Sequence, residues 1–177
     1  MPSILLKPNS VISNDNWLEI LPGDDPFISG LGDGLDSTYI YNEEIGSADI
    51  RLSLDDPNIE HSTKQFHTIQ VRVRVRTLAT NNSTISIFLL SETNDTIASN
   101  LDIVVSDSKY FQEFQINITG ASFTIDDLNN YKIKILNVEY FSQVSEVILE
   151  ATYTETSSIK LLNGLIKLDT GVIYIPN

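Results

Sequence analysis

An antiparallel two-sheet β-sandwich of jelly-roll type is the fold class that this 177-residue sequence predicts, and three observations carry it. From His67 onward, short segments rich in Ile, Val, Thr, Tyr and Phe alternate with clusters of Asn, Ser and Asp, the pattern of strands and turns. No segment holds a 3.6-residue apolar stripe over ten positions, so helix is confined to about one turn near residues 125 to 128. A parallel sheet would need crossover helices, and the sequence has none to offer.

The first 65 residues hold five of the six prolines and five of the eight glycines. Their centre, "LPGDDPFISGLGDGLDSTYI" (21 to 40), reads as a loop-rich segment that wraps over a sheet. Strand candidates within it are Ser3 to Lys7, Thr38 to Asn42 and Ala48 to Leu54, closed by the turn "DDPN" at 55 to 58. Six longer strands follow, at 67 to 77, 84 to 91, 95 to 105, 110 to 118, 130 to 138 and 143 to 154.

The stretch "IQVRVRVRT" (69 to 77) alternates so that Ile69, Val71, Val73 and Val75 share one face of a strand. Gln70, Arg72, Arg74 and Arg76 share the other, which places three of the four arginines in one stripe. By the same period Ile133, Ile135, Val147 and Leu149 point to the core, while Lys132 and Lys134 point outwards.

In the tail, Asn163-Gly164 between "IKLL" and "LIKL" predicts a two-stranded hairpin over 158 to 169. The expected organisation is one sandwich domain at 1 to 156, its first 65 residues wrapping it, followed by an assembly arm at 157 to 177. The arm's contact positions would be Leu161, Leu165, Ile166, Leu168, Ile173 and Ile175, because a lone hairpin is marginal in water and its edges invite pairing.

With 24 acidic against 11 basic side chains, the net charge of −13 repels phosphate and anionic lipid, so nucleic acid is not an expected partner. Apolar residues at 41 % exclude a disordered chain, and no apolar run approaches the ~20 residues of a membrane span. The opening "MPSILLKPNS" lacks a long apolar core and a small-residue cleavage site, so classical secretion is not expected. The sequons at Asn81, Asn82, Asn94 and Asn117 carry no weight without it. The absence of cysteine removes disulfides, thiolate metal sites and thiol nucleophiles, leaving packing and assembly as sources of stability.

Catalytic chemistry finds little support. His61 and His67 are the only histidines, no G-x-S-x-G elbow is present, and a paired-carboxylate glycosidase groove would be richer in tryptophan than a chain with Trp17 alone. A non-enzyme is expected, with no cofactor. Asp24, Asp25, Asp33 and Asp36 cluster among glycines, the hard-oxygen chemistry that calcium favours, but their spacing fits no Ca²⁺ loop and turn formation is the better explanation.

The stripe Arg72, Arg74 and Arg76 has three readings: a solvated face, cross-strand pairing with carboxylates, or a docking surface for an acidic partner such as a second copy of the chain. Aromatic residues gather at "KYFQEF" (109 to 114) and "VEYFSQ" (138 to 143). Tyr110 and Tyr140 are the candidates there for stacking on a sugar, against the plainer reading of core or rim packing.

Several segments in order resemble a group of β-sandwich virion proteins of tailed bacteriophages. "KPNSVISNDNW" (7 to 17) is similar to their Pro-Asn-Ser start ending in tryptophan, and "DSTYIY" (36 to 41) to their Asp-Ser-x-Tyr-Ile segment. "HTIQVRVRVRT" (67 to 77) resembles their Arg-x-Arg strand and "QVSEVILEATY" (143 to 153) their closing strand. The resemblance implies a non-catalytic structural protein that assembles in a bacterial cytoplasm into a virion, as capsid decoration, cement, or a head or tail accessory. Its partners would be other virion proteins and further copies of itself. The alternative is a carbohydrate-binding module of a tail fibre or tailspike, with a host glycan as partner.

Overall fold

The computed structural model describes residues 1–19, 31, 39–42, 47–56, 64–77, 82–106, 110–138, 141–154, 160–162, 165–168 and 171–173. Their architecture follows from the alternating strands. β1 (Ser3–Leu6), β3 (Trp17–Glu19), β4 (Ile40–Asn42), β6 (Gln65–Thr77), β9 (Gln112–Phe123) and β11 (Ser142–Thr154) form one antiparallel sheet, sheet I. β2 (Pro8–Asp15), β5 (Ala48–Leu54), β7 (Ser83–Leu90), β8 (Thr96–Val105) and β10 (Lys132–Asn137) form sheet II.

The order in sheet I is β3-β4-β11-β6-β9, with β1 alongside the second half of β11. In sheet II it is β2-β5-β10-β7-β8. The chain passes from one sheet to the other at almost every connection, the winding of a jelly roll.

Period-2 burial fixes which face of each sheet turns inwards. Ile69, Val71, Val73 and Val75 of β6 are fully buried beside Val147, Leu149 and Ala151 of β11. Sheet II answers with Ile50 and Leu52, Ile85, Ile87 and Leu89, and Ile133 and Ile135. Each such side chain contributes about 1.5–3 kcal/mol by leaving water, so a one-residue slip of β6 would forfeit the whole set. Ile69, Val71, Val73, Val75, Ile133, Ile135, Val147 and Leu149 all face inwards as expected, and Arg72, Arg74, Lys132 and Lys134 face outwards.

Short α1 (Ile125–Asn130) links β9 of sheet I to β10 of sheet II. Thr124 caps it reciprocally: its hydroxyl accepts from Asp127 N at 3.1 Å, and its own N–H donates to Asp127 Oδ2 at 2.7 Å. The helix buries Leu128, and Tyr131 just beyond it packs edge-on against Phe123 at 6.4 Å. Burial, then the nearby Asp127 carboxylate, pushes the Tyr131 hydroxyl pKa up to about 12.

The structure departs from expectation in the first third and in the tail. β2 and β3 are strands that alternation does not announce, because β2 is an edge strand, mostly exposed, with two register shifts against β5. A left-handed Asn16 (φ 63°) and the Asn14 side chain, which bonds both the N–H and the C=O of Trp17, turn the chain from β2 in sheet II to β3 in sheet I. The tail is a three-stranded meander, β12 (Lys160–Leu162), β13 (Leu165–Leu168) and β14 (Gly171–Ile173), one strand more than the Asn-Gly hairpin alone. No helix among the described residues is long and apolar enough to cross a membrane.

Candidate functional site on the outer face of sheet I

The arginine stripe of β6 lies on the outer face of sheet I, and the register gives each arginine a different setting. Arg72 is paired across the strands with Ile148 and Gln115, and its Nη2 reaches diagonally to Glu150 Oε2 at 3.8 Å. Such a half-exposed ion pair is worth on the order of 0–1 kcal/mol. Arg74 lies directly between Glu146 of β11 and Glu113 of β9. Gln70, one step further along, donates to Gln115 Oε1 and Asn117 Oδ1, each at 2.7 Å. Most of the stripe is therefore cross-strand polar pairing.

Arg76 is different. Its Nε donates to Gln143 Oε1 at 2.6 Å, and its guanidinium lies 4.5 Å from the centroid of the Phe111 ring and 5.4 Å from that of Tyr39. Tyr39 in turn contacts Tyr41 edge-on at 6.4 Å and Phe111 at 6.3 Å. The register explains how residues so far apart in sequence meet: Leu18, Tyr41, Gln143 and Arg76 follow one another across β3, β4, β11 and β6, and Phe111 immediately precedes β9. Alternation on β4 turns Ile40 and Asn42 inwards and leaves Tyr39 and Tyr41 on the outside. A guanidinium over two ring faces is held by cation–π attraction as well as by its hydrogen bond.

Under this end of sheet I lies a belt of buried polar side chains that locks it to sheet II. Ser83 Oγ donates to Asn137 Oδ1 at 2.9 Å and meets Ser142 Oγ at 2.9 Å, while Asn42 Oδ1 accepts from Ser142 N at 2.8 Å. Thr77 Oγ1 donates to the carbonyl of Phe141 at 2.9 Å. Asn42, Thr77 and Ser142 are the chain neighbours of Tyr41, Arg76 and Gln143, so the surface groups stand on strands fixed from below.

The cluster presents half-buried aromatic edges and faces, one cation and an amide, with Tyr110 beside it at 79 % exposure and Leu18 on the rim. Such a surface suits a ligand with apolar C–H faces and hydroxyl groups: the electron-rich rings attract the C–H groups, and the guanidinium and amide bond the oxygens.

Of the residues singled out from sequence, Arg72, Arg74 and Arg76 share this face, and Tyr110 lies at its edge. Tyr140, Asp24, Asp25, Asp33, Asp36 and Ile175 lie outside the described residues. Leu161, Leu165, Ile166, Leu168 and Ile173 occupy strand positions of the meander, with Leu161 opposite Ile166 and Ile166 opposite Ile173. Among the described residues no three His, Cys, Asp or Glu side chains are grouped to hold a metal ion. His67 bonds Thr154 Oγ1 at 2.8 Å on the surface. Tyr39, Tyr41, Phe111 and Gln143 were not expected at a site; the outward alternation in "TYIY" was the one signal for the first two.

No protein-family model matches the chain, and no curated protein sequence is significantly similar to it. Solved structures are similar in fold. A cyclase from Fischerella sp. TAU in complex with 4-(1H-indol-3-yl)butan-2-one superposes with a TM-score of 0.50 at 12 % identity, over 86 % of this chain and 91 % of that one. The C-terminal family 6 carbohydrate-binding module of LamC, a marine laminarinase from Zobellia galactanivorans, gives a TM-score of 0.48 at 8 % identity, over 85 % and 100 % of the two chains. The enzymatically active domain of tailspike protein 4 of bacteriophage CBA120 gives 0.42 at 13 % identity, over 85 % of this chain and 19 % of that one.

Proposed function

We propose that the chain is a non-catalytic glycan-binding β-sandwich that recognises a sugar on the outer face of sheet I. The observation that carries this is Arg76 set over the Phe111 and Tyr39 rings and tied to Gln143, on strands braced by a buried polar belt. Rigid aromatic and arginine groups give contact area and hydrogen bonds at little entropic cost, which favours binding to a hydroxyl-rich ligand. Of the two tyrosines expected to stack on a sugar, Tyr110 lies at the edge of this cluster, and Tyr140 lies outside the described residues.

A glycan array probed with the purified protein tests it. Binding to a defined subset of glycans is expected, and Tyr39→Ala and Arg76→Ala should each weaken the best hit by at least about tenfold, the mark of an energetic hot spot. Protein that binds no glycan, or whose binding survives both substitutions, would overturn the reading.

A second reading, protein docking in a virion, is favoured by the tail meander, whose strands pair only with one another among the described residues. A sandwich that binds glycan and an arm that assembles with copies of the chain are compatible roles for a fibre or tailspike component. Arg72 and Arg74, set among glutamates, then serve the sheet itself more than a partner.

A further inference from the structure

The outer face of sheet II holds features that the first site does not use. Register places Ser13, Arg51, Lys134, Phe88 and Ser99 in one row across all five strands. Beside this row is a pocket of about 200 Å³ lined by Arg51, Phe88, Leu90, Asn94, Thr96 and Lys134. Two of the chain's 11 basic residues thus line one small pocket on a molecule of net charge −13.

Their partners are unequal. Lys134 Nζ bonds Asp49 Oδ2 at 2.5 Å and is committed to it. Arg51 Nε lies 3.7 Å from the other oxygen of the same carboxylate, too far for a hydrogen bond, and this buried nitrogen has no acceptor among the described residues. Among the described residues, two cations against one carboxylate leave a single positive charge uncompensated, and it resides on the guanidinium, the group with donor capacity to spare. Lys132 does not add to it, since its ammonium donates to Glu92 O at 2.7 Å and Asn94 Oδ1 at 3.1 Å, fixing the Asn94 wall of the pocket.

We propose that this pocket is a second recognition site, for one carboxylate-bearing sugar unit of the uronic-acid type. The Arg51 guanidinium takes the carboxylate, the half-buried Phe88 ring lies against the sugar's C–H face, and the Asn94 amide and Thr96 hydroxyl face its hydroxyl groups. The volume suits a single monosaccharide rather than a drug-sized ligand. One unmatched positive charge fits a monoanion, and the acidic surroundings disfavour phosphate and polyanions. The site is on the opposite sheet from the Arg76 cluster, so it stands or falls independently of the function proposed there.

Amide chemical-shift mapping of the full chain with glucuronate as probe tests the proposal, with glucose, acetate and inorganic phosphate titrated in parallel. Glucuronate should shift amides around Arg51, Phe88, Asn94 and Lys134 with a Kd of about 1 mM, and added salt should weaken it. Arg51→Met, which keeps the aliphatic stem, should cost about tenfold or more in affinity, whereas Tyr39→Ala should leave it unchanged. Shifts that are absent up to about 50 mM, or that acetate, glucose or phosphate reproduce at the same concentrations, would overturn it.

Discussion

Val73 and Arg74 are chain neighbours with opposite surroundings, and their contrast measures what each face of sheet I contributes. Val73 is fully buried between Val147 and Phe114, whereas Arg74 lies on the outer face between Glu146 and Glu113. Removing two methyls from a packed core loses transfer energy and leaves a cavity, so Val73→Ala should lower unfolding free energy by about 1–3 kcal/mol in a urea titration. Arg74→Ala should cost less than about 1 kcal/mol. Tyr131 gives a second residue-level prediction. Its folded pKa of about 12 lies above the ordinary 10, so its contribution to stability is intact below pH 10 and is lost as pH rises from 10 through 12, where the unfolded chain ionises first. The melting temperature should fall more steeply over that range for the wild-type protein than for Tyr131→Phe.

At the scale of elements, α1 is the part most dependent on a single side chain. Six residues cannot sustain a helix in water, so Thr124 and its reciprocal bonds with Asp127 hold it in place over the core. Thr124→Ala should cost about 1 kcal/mol, read by thermal or urea unfolding, and Thr124→Ser should recover most of it. This helix, the six long strands and the inward faces were legible in the sequence because each declares itself locally, through a turn residue or a period-2 pattern. β2 was not: "PNSVISND" buries Pro8 and half-buries Val11, and an edge strand with two bulges needs no more apolar residues than that. The aromatic cluster was half legible. Tyr39 and Tyr41 alternate outwards on their own strand, but their meeting with Arg76 and Phe111 depends on the order β4-β11-β6-β9, which no local pattern encodes.

For the whole molecule, the question is whether the sandwich is complete without its tail. Both sheets close their core with strands that end at Thr154, and the described hydrogen bonds of β12, β13 and β14 run only within their own three-stranded sheet. Three short strands whose outer edges pair with no strand among the described residues are marginal alone, and such edges can accept a further strand. The net charge of −13 opposes unspecific association between copies, so on the proposed assembly role a specific pairing of edges would be the route. A chain truncated after Thr156 should therefore fold with its melting temperature within about 3 °C of the intact protein, since it loses no strand of either sheet. It should also sediment as a monomer at concentrations where the full chain sediments as an oligomer. If the truncated protein unfolds or aggregates, the meander belongs to the sandwich core. If both forms sediment alike, the tail is not the assembly element.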